Sequence, residues 1–221
     1  MNKEQEIFEF RGVDNLYVAE VIKDNAETYQ CGTPIHLASV AEVGKNVDSS
    51  SEAHYYDNKP MIVINSESAD KITVIAAPPE LERLAMINGK PFDKETGMLV
   101  DGQRQDKYFA LMYRTKGTDG KYRYVSRLKG TFGIPEESNK TEDSGTDTTN
   151  TQIEYTGIYT THEFEKGVIN DDGTWEKGAA KGIVIDTRYG LADVSQFFEQ
   201  VQTPDTIKSK TQTQVREEAE G

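Results

Sequence analysis

Along much of the chain, apolar residues recur at every second position, the period of a strand with one buried face. Gly12 to Lys23 (GVDNLYVAEVIK) predicts a strand that stops at the turn residues Asp24 and Asn25. Ile35 to Val43 predicts a second. Met61 to Asn65 and Lys71 to Ala76 predict two more on either side of a polar turn, Ser66 to Asp70. Tyr108 to Arg114 and Tyr122 to Phe132, joined by Lys116-Gly117-Thr118-Asp119-Gly120, predict a hairpin. In its second strand Tyr122, Tyr124, Ser126 and Leu128 alternate with Arg123, Val125, Arg127 and Lys129, so one face reads as largely apolar and the other as basic. Gln152 to Phe164 predicts a half-buried strand, Ile169 to Trp175 an Asn-Asp-Asp-Gly turn, and Gly182 to Arg188 a further strand.

Only one segment carries a clear helical signature. Residues 79–88 open with Pro79 and Glu80, place Leu81, Leu84, Ala85 and Met86 on one face and close at Asn88-Gly89. Leu81, Leu84 and Ala85 are expected to pack this helix on the flank of a sheet. One short helix among many strands predicts a mainly β (α+β) fold. Gly44 to Pro60 (GKNVDSSSEAHYYDNKP) reads as a long polar loop, and a loop of that length inside a domain is usually functional. It is therefore the candidate inter-subunit arm, with Asn46, Tyr55, Tyr56, Asp57 and Asn58 as its contact residues, because aromatic side chains bury much area at small entropic cost. Pro135 to Asn150 lacks any large apolar residue and predicts an exposed loop. Val194 to Val201 predicts a short amphipathic helical turn, and 202–221, with no aromatic residue, a flexible C-terminal tail or arm. The expected domain is 1–201, with the arm inserted at about 44–60.

The 221 residues suit one domain, and 11 Tyr with 8 Phe can build a core despite a mean hydropathy of −0.69. A net charge of −13 argues against phosphate-seeking nucleic-acid binding, which rests on Lys and Arg. No apolar run is long enough to span a bilayer, and Glu4, Glu6 and Glu9 stand where a signal peptide would be basic and then apolar, so a cytoplasmic product without membrane contact is expected. Cys31 is the only cysteine, which excludes an internal disulfide and a thiolate metal cluster, and an inert thiol is expected there. His36, His54 and His162 lack partners at metal-ligand spacing. Asn170-Asp171-Asp172-Gly173 with Glu176 lacks the spaced acids of a calcium loop and reads as a hairpin turn. No phosphate-loop, dinucleotide, hydrolase or zinc-protease string occurs, so neither catalytic residues nor a cofactor or metal is expected.

The succession of short motifs is more informative than any one of them. It begins with Gly12-Val13-Asp14-Asn15-Leu16-Tyr17, continues with Tyr55-Tyr56-Asp57-Asn58, two strands and the 79–89 helix, and reaches Gly120-Lys121-Tyr122-Arg123-Tyr124-Val125. Lys129-Gly130-Thr131-Phe132, Pro135-Glu136-Glu137 and Lys140-Thr141 follow. This order, over about Arg11 to Val201, resembles the major tail proteins, or tail tube proteins, of long-tailed siphophages. The resemblance implies a structural virion protein and not an enzyme: a β-sandwich or barrel with one flanking helix, assembling as homohexameric rings that stack into a tail tube. Implied partners are other copies of itself, tape-measure and tail terminator proteins, and viral DNA that passes through the lumen without specific binding. The implied location is the virion tail, and the host cytoplasm during assembly. Tube proteins of contractile tails and of type VI secretion systems are the near alternative; a monomeric β-sandwich binding module or a hydrolase is a more distant one.

Overall fold

The computed structural model describes residues 7–56, 59–135, 150–190 and 192–210, with backbone alone for 48–56 and 59–67. The described fold is mainly β. The chain runs through β1 (Phe10–Asp24), β2 (Tyr29–Cys31), β3 (Ile35–Ala38), β4 (Val40–Tyr56) and β5 (Lys59–Ala76) to the helix α1 (Leu81–Ile87). Two short strands follow, β6 (Phe92–Asp93) and β7 (Met98–Leu99), then β8 (Phe109–Gly117), β9 (Tyr122–Phe132) and β10 (Thr151–Gly157). The last strands are β11 (Glu163–Ile169), β12 (Trp175–Ala179) and β13 (Gly182–Asp186).

All pairings in the main sheet are antiparallel, in the order β1-β8-β9-β10-β5-β4. β4 is the continuation of β3 past Ser39, and β3 pairs with β1, so the hydrogen-bonded path returns to its start as a barrel. Alternation fills the interior: Leu16 and Val18 of β1, Ile72, Val74 and Ala76 of β5, Phe109 and Leu111 of β8, and Ile153 and Tyr155 of β10 are buried in one cluster. Tyr155 donates its hydroxyl to the Phe109 carbonyl at 2.8 Å, and its ring needs the space left by Gly130, where a Cβ would come within 2.4 Å of it. On the outside of the barrel Phe197, with Val194, Phe198 and Val201, covers Met112 and Tyr124.

The helix stops where its sequence says it should. The Asn88 N–H donates to Leu84 and the Gly89 N–H to Met86, with Gly89 at a φ of 63° that glycine adopts without strain. Its buried face, however, is Ala85 and Ile87 with Leu84 and Met86 half-buried beside them; Leu81, expected to pack, is 46% exposed. The inward arc is therefore displaced by part of a turn toward the C-terminal end. Ile87→Asp is expected to unfold the subunit, since an unpaired buried carboxylate costs several kcal/mol, comparable to the whole stability of a domain. Leu81→Asp should melt within a few degrees of wild type; thermal unfolding followed by circular dichroism compares the two.

Other boundaries also move. The expected strand Ile35 to Val43 is interrupted at Ser39, and the two expected strands between Met61 and Ala76 are one, with no turn at Ser66 to Asp70. The tail expected from residue 202 is ordered as far as Lys210: Gln202 and Thr203 are buried, Thr206 bonds both, and Ala192 bridges Ser209. Hydroxyls and amides do there what apolar residues do elsewhere, which explains why an absence of aromatics was a poor guide. Residues 211–221 lie outside the described residues, as do 136–149 of the expected exposed loop.

Candidate assembly interface

The segment Gly44 to Pro60, expected as a loop, is instead most of a long β-ribbon. β4 and β5 pair in register from Val40↔Ala76 to Tyr56↔Lys59, with irregularities after Val40, Val47 and His54. β10 supports β5 only from Asp70 to Ala76. Beyond that rung the two strands pair, among the described residues, only with each other, over a reach of roughly 30 Å at about 3.3 Å per residue. Among the predicted arm residues, Asn46 is exposed at the ribbon's base, while Tyr55 and Tyr56 lie at its far end as cross-strand neighbours of Pro60 and Lys59. Asp57 and Asn58 lie outside the described residues.

The ribbon is rooted by a buried charge. Asp70, fully buried, sits at the last rung shared with β10 and forms ion pairs with Lys45 at 2.9 Å, Arg127 at 3.0 Å and Lys181 at 3.4 Å. Burial opposes its ionisation, yet the hydrogen bond from Lys45 and the charges of Arg127, Lys45 and Lys181 hold the carboxyl below the usual carboxylate range. Lys181 also donates to the Ser68 carbonyl and lies over the Tyr159 ring, and Arg127 bonds the buried Tyr113 phenol. Strands β4, β5, β9 and the start of β13 are thus tied at one point.

A second, shorter hairpin springs from the same side of β9. β11 and β12 pair only with each other among the described residues, and the chain enters and leaves them beside Lys129 and Arg127. Asp24 fixes the root: its carboxylate accepts the Thr161 N–H at 2.8 Å, the His162 N–H at 2.9 Å and the Lys129 ammonium at 2.5 Å. Burial opposes its ionisation too, but Lys129 and these N–H groups keep its carboxyl low. Asp205, from the segment expected to be a tail, accepts the Glu165 and Lys166 N–H groups at the bulge of β11.

The basic face foreseen on β9 is therefore not a surface. The side chains of Arg127 and Lys129 are only 11% and 12% exposed, because β9 is a central strand covered on both sides. Each neutralises an acid at the root of one projecting hairpin. Arg123 joins Arg188 on Asp186 at 3.0 and 2.9 Å. In sequence Asp24 and Asp70 read only as turn residues, and Lys181 carries no signal of its own. Asp70 carried a signal all the same: it shares the inward parity of Ile72, Val74 and Ala76, a position where an acid must find a partner.

Cys31 lies in a shallow cleft of about 380 Å³ between β2 and residues 199–206. Burial pushes its thiol up to about 11, and it donates to the Tyr29 hydroxyl at 3.1 Å, an environment that disfavours thiolate chemistry. The His36 and His162 rings meet Tyr17 and Phe164 edge to face; the side chain of His54 lies outside those described. Among the described residues no group of three or more His, Cys, Asp or Glu could hold a metal ion, and no helix is long and apolar enough to cross a membrane. No family model and no curated protein matches the chain.

Proposed function

We propose that the chain is a structural subunit that assembles with copies of itself into rings and tubes, and specifically a tail tube protein of the siphophage type, through whose channel viral DNA passes. The observation that carries the reading is the β4–β5 ribbon. A two-stranded ribbon is marginal by itself in water, and its unpaired edges are open templates for another chain. A charged root buried to this degree, with three cations on one carboxylate, fixes the direction of such a ribbon and would serve little in a disposable surface loop. Contact with a second subunit supplies what the ribbon lacks. The charge balance favours the same use: Arg127, Lys129 and Lys181 are turned inward, so the outer surface keeps the acidic character of a chain at −13 and repels phosphates passing along it.

Negative-stain electron microscopy of the purified, concentrated chain tests this reading. Six-membered rings and stacked tubes are expected. A population that stays monomeric at every concentration and in every salt would end it.

A further inference from the structure

Resting on the reading that copies of this chain assemble, we infer that the tip of the β11–β12 hairpin is a second contact between copies, seated on the β8–β9 end of the next subunit. Ile169 and Trp175 are direct cross-strand partners at this tip and remain 58% and 52% exposed. A large apolar pair at the end of a two-stranded hairpin is what a partner covers. The tip is already ordered. Asn170 and Thr174 close the turn at 2.9 Å, Asp172 accepts the Thr174 N–H at 2.9 Å and its hydroxyl at 2.6 Å, and Asp24 and Asp205 hold the root. Docking such an element costs little conformational entropy.

Charge selects the occupant. Around the apolar pair the tip carries Asp171, Asp172 and Glu176 and no Lys or Arg between Val168 and Glu176. Asp172 is engaged in the turn, whereas Asp171 and Glu176 are exposed and form no ion pair among the described residues. At the β8–β9 turn the pattern is reversed. Gly12 pairs with Lys116, and Gly117 donates to the Lys121 carbonyl, so Arg11, Lys116 and Lys121 gather at one end, exposed and without an ion pair among the described residues. Asp119 there is taken by Arg188 at 2.6 Å, which leaves Glu9 as the remaining acid of that end among the described residues. Phe10, 42% exposed, offers Trp175 an aromatic surface at that end with Arg123 over its ring at 4.4 Å, while the Tyr122 ring beside it carries Arg114 at 4.4 Å and Lys116 at 5.7 Å. Complementary patches on different parts of one subunit make a heterologous contact, the kind that closes rings.

Trp175 is the only tryptophan in the chain and reports on its own burial. Emission and iodide quenching of the full chain are measured as a function of concentration, alongside size-exclusion chromatography. As copies associate, the emission should move to shorter wavelength and quenching should fall several-fold. Asp171→Lys with Glu176→Lys, and separately Lys116→Glu with Lys121→Glu, should each keep a wild-type circular dichroism spectrum and weaken association by about tenfold or more. Mixing the two double variants restores opposite charges at every contact, so association should return only in the mixture. Association that leaves Trp175 as quenchable as in the monomer, or a mixture no better than its components, overturns this contact while leaving self-assembly standing. A wild-type chain that never associates overturns both.

Discussion

Replacing residues 49–67 by Asn-Gly is expected to give a folded, monomeric subunit that forms no ring or tube. The excised rungs, Ser49↔Glu67 through Tyr56↔Lys59, have no partner outside the ribbon among the described residues. Among the described side chains, the barrel cluster from Leu16 to Tyr155 is built from residues outside the excised span. Asp70, Lys45, Arg127 and Lys181 all remain, and Asn-Gly is the two-residue connection best matched to the twist of a hairpin. Thermal unfolding should stay cooperative, with a midpoint within a few degrees of wild type, while sedimentation shows a single monomeric species. Normal tubes from the shortened chain would remove the ribbon from assembly altogether.

Asp70→Ala attacks the root instead. It leaves Arg127 and Lys181, whose side chains are 11% and 8% exposed, and the half-buried Lys45 around a void where a carboxylate had been. Arginine does not deprotonate in proteins, so the Arg127 charge remains. Removing one partner of a buried ion pair costs about 3–5 kcal/mol, a large part of a typical domain's stability, and urea unfolding should show a loss of that order. Asp70→Asn should fall between the two. The pH profile follows from the sign of the shifts. Asp70, Asp24 and Asp186 have carboxyls lowered in the folded state, so their stabilisation is complete above the unfolded value of about 3.9 and is lost as pH falls through the lower folded values. The wild type should therefore lose stability below about pH 4, with Asp70→Ala showing a shallower acid limb. A variant within about 0.5 kcal/mol of wild type would mean that the cations find solvent and the root is not a lock.

How much of this was readable beforehand depended on whether burial or pairing made the element. Where alternation reflects burial, as in Leu16 and Val18 or Ile153 and Tyr155, period and structure agree. The turn at Asn170 to Gly173 and the helix stop at Asn88-Gly89 were legible because they rest on local chemistry. The ribbon was not. Its residues from Gly44 to Tyr56 are mostly Ser, Asn, Asp, Glu and Lys without an apolar stripe, and they form a strand only because β5 lies alongside. The same segment is nevertheless the candidate arm from sequence, because its length and its paired tyrosines are visible there while its conformation is not. The basic parity of β9 was legible as a pattern, but not its burial. One sequence shows that Arg127 and Lys129 share a face, but their partners Asp70 and Asp24 are 57 and 105 positions away and meet them only through topology.

The claim on which the rest depends is that the ribbon is covered by another copy of the chain. Amide hydrogen exchange on the full-length protein, resolved to peptides spanning 47–69 and compared between dilute monomer and assembled material, addresses it directly. The ribbon amides that face no strand in the monomer should exchange quickly when dilute and become protected by at least tenfold on assembly, with the barrel amides of β8 and β10 unchanged. Assemblies in which peptides 47–69 exchange as fast as in the monomer would contradict the account.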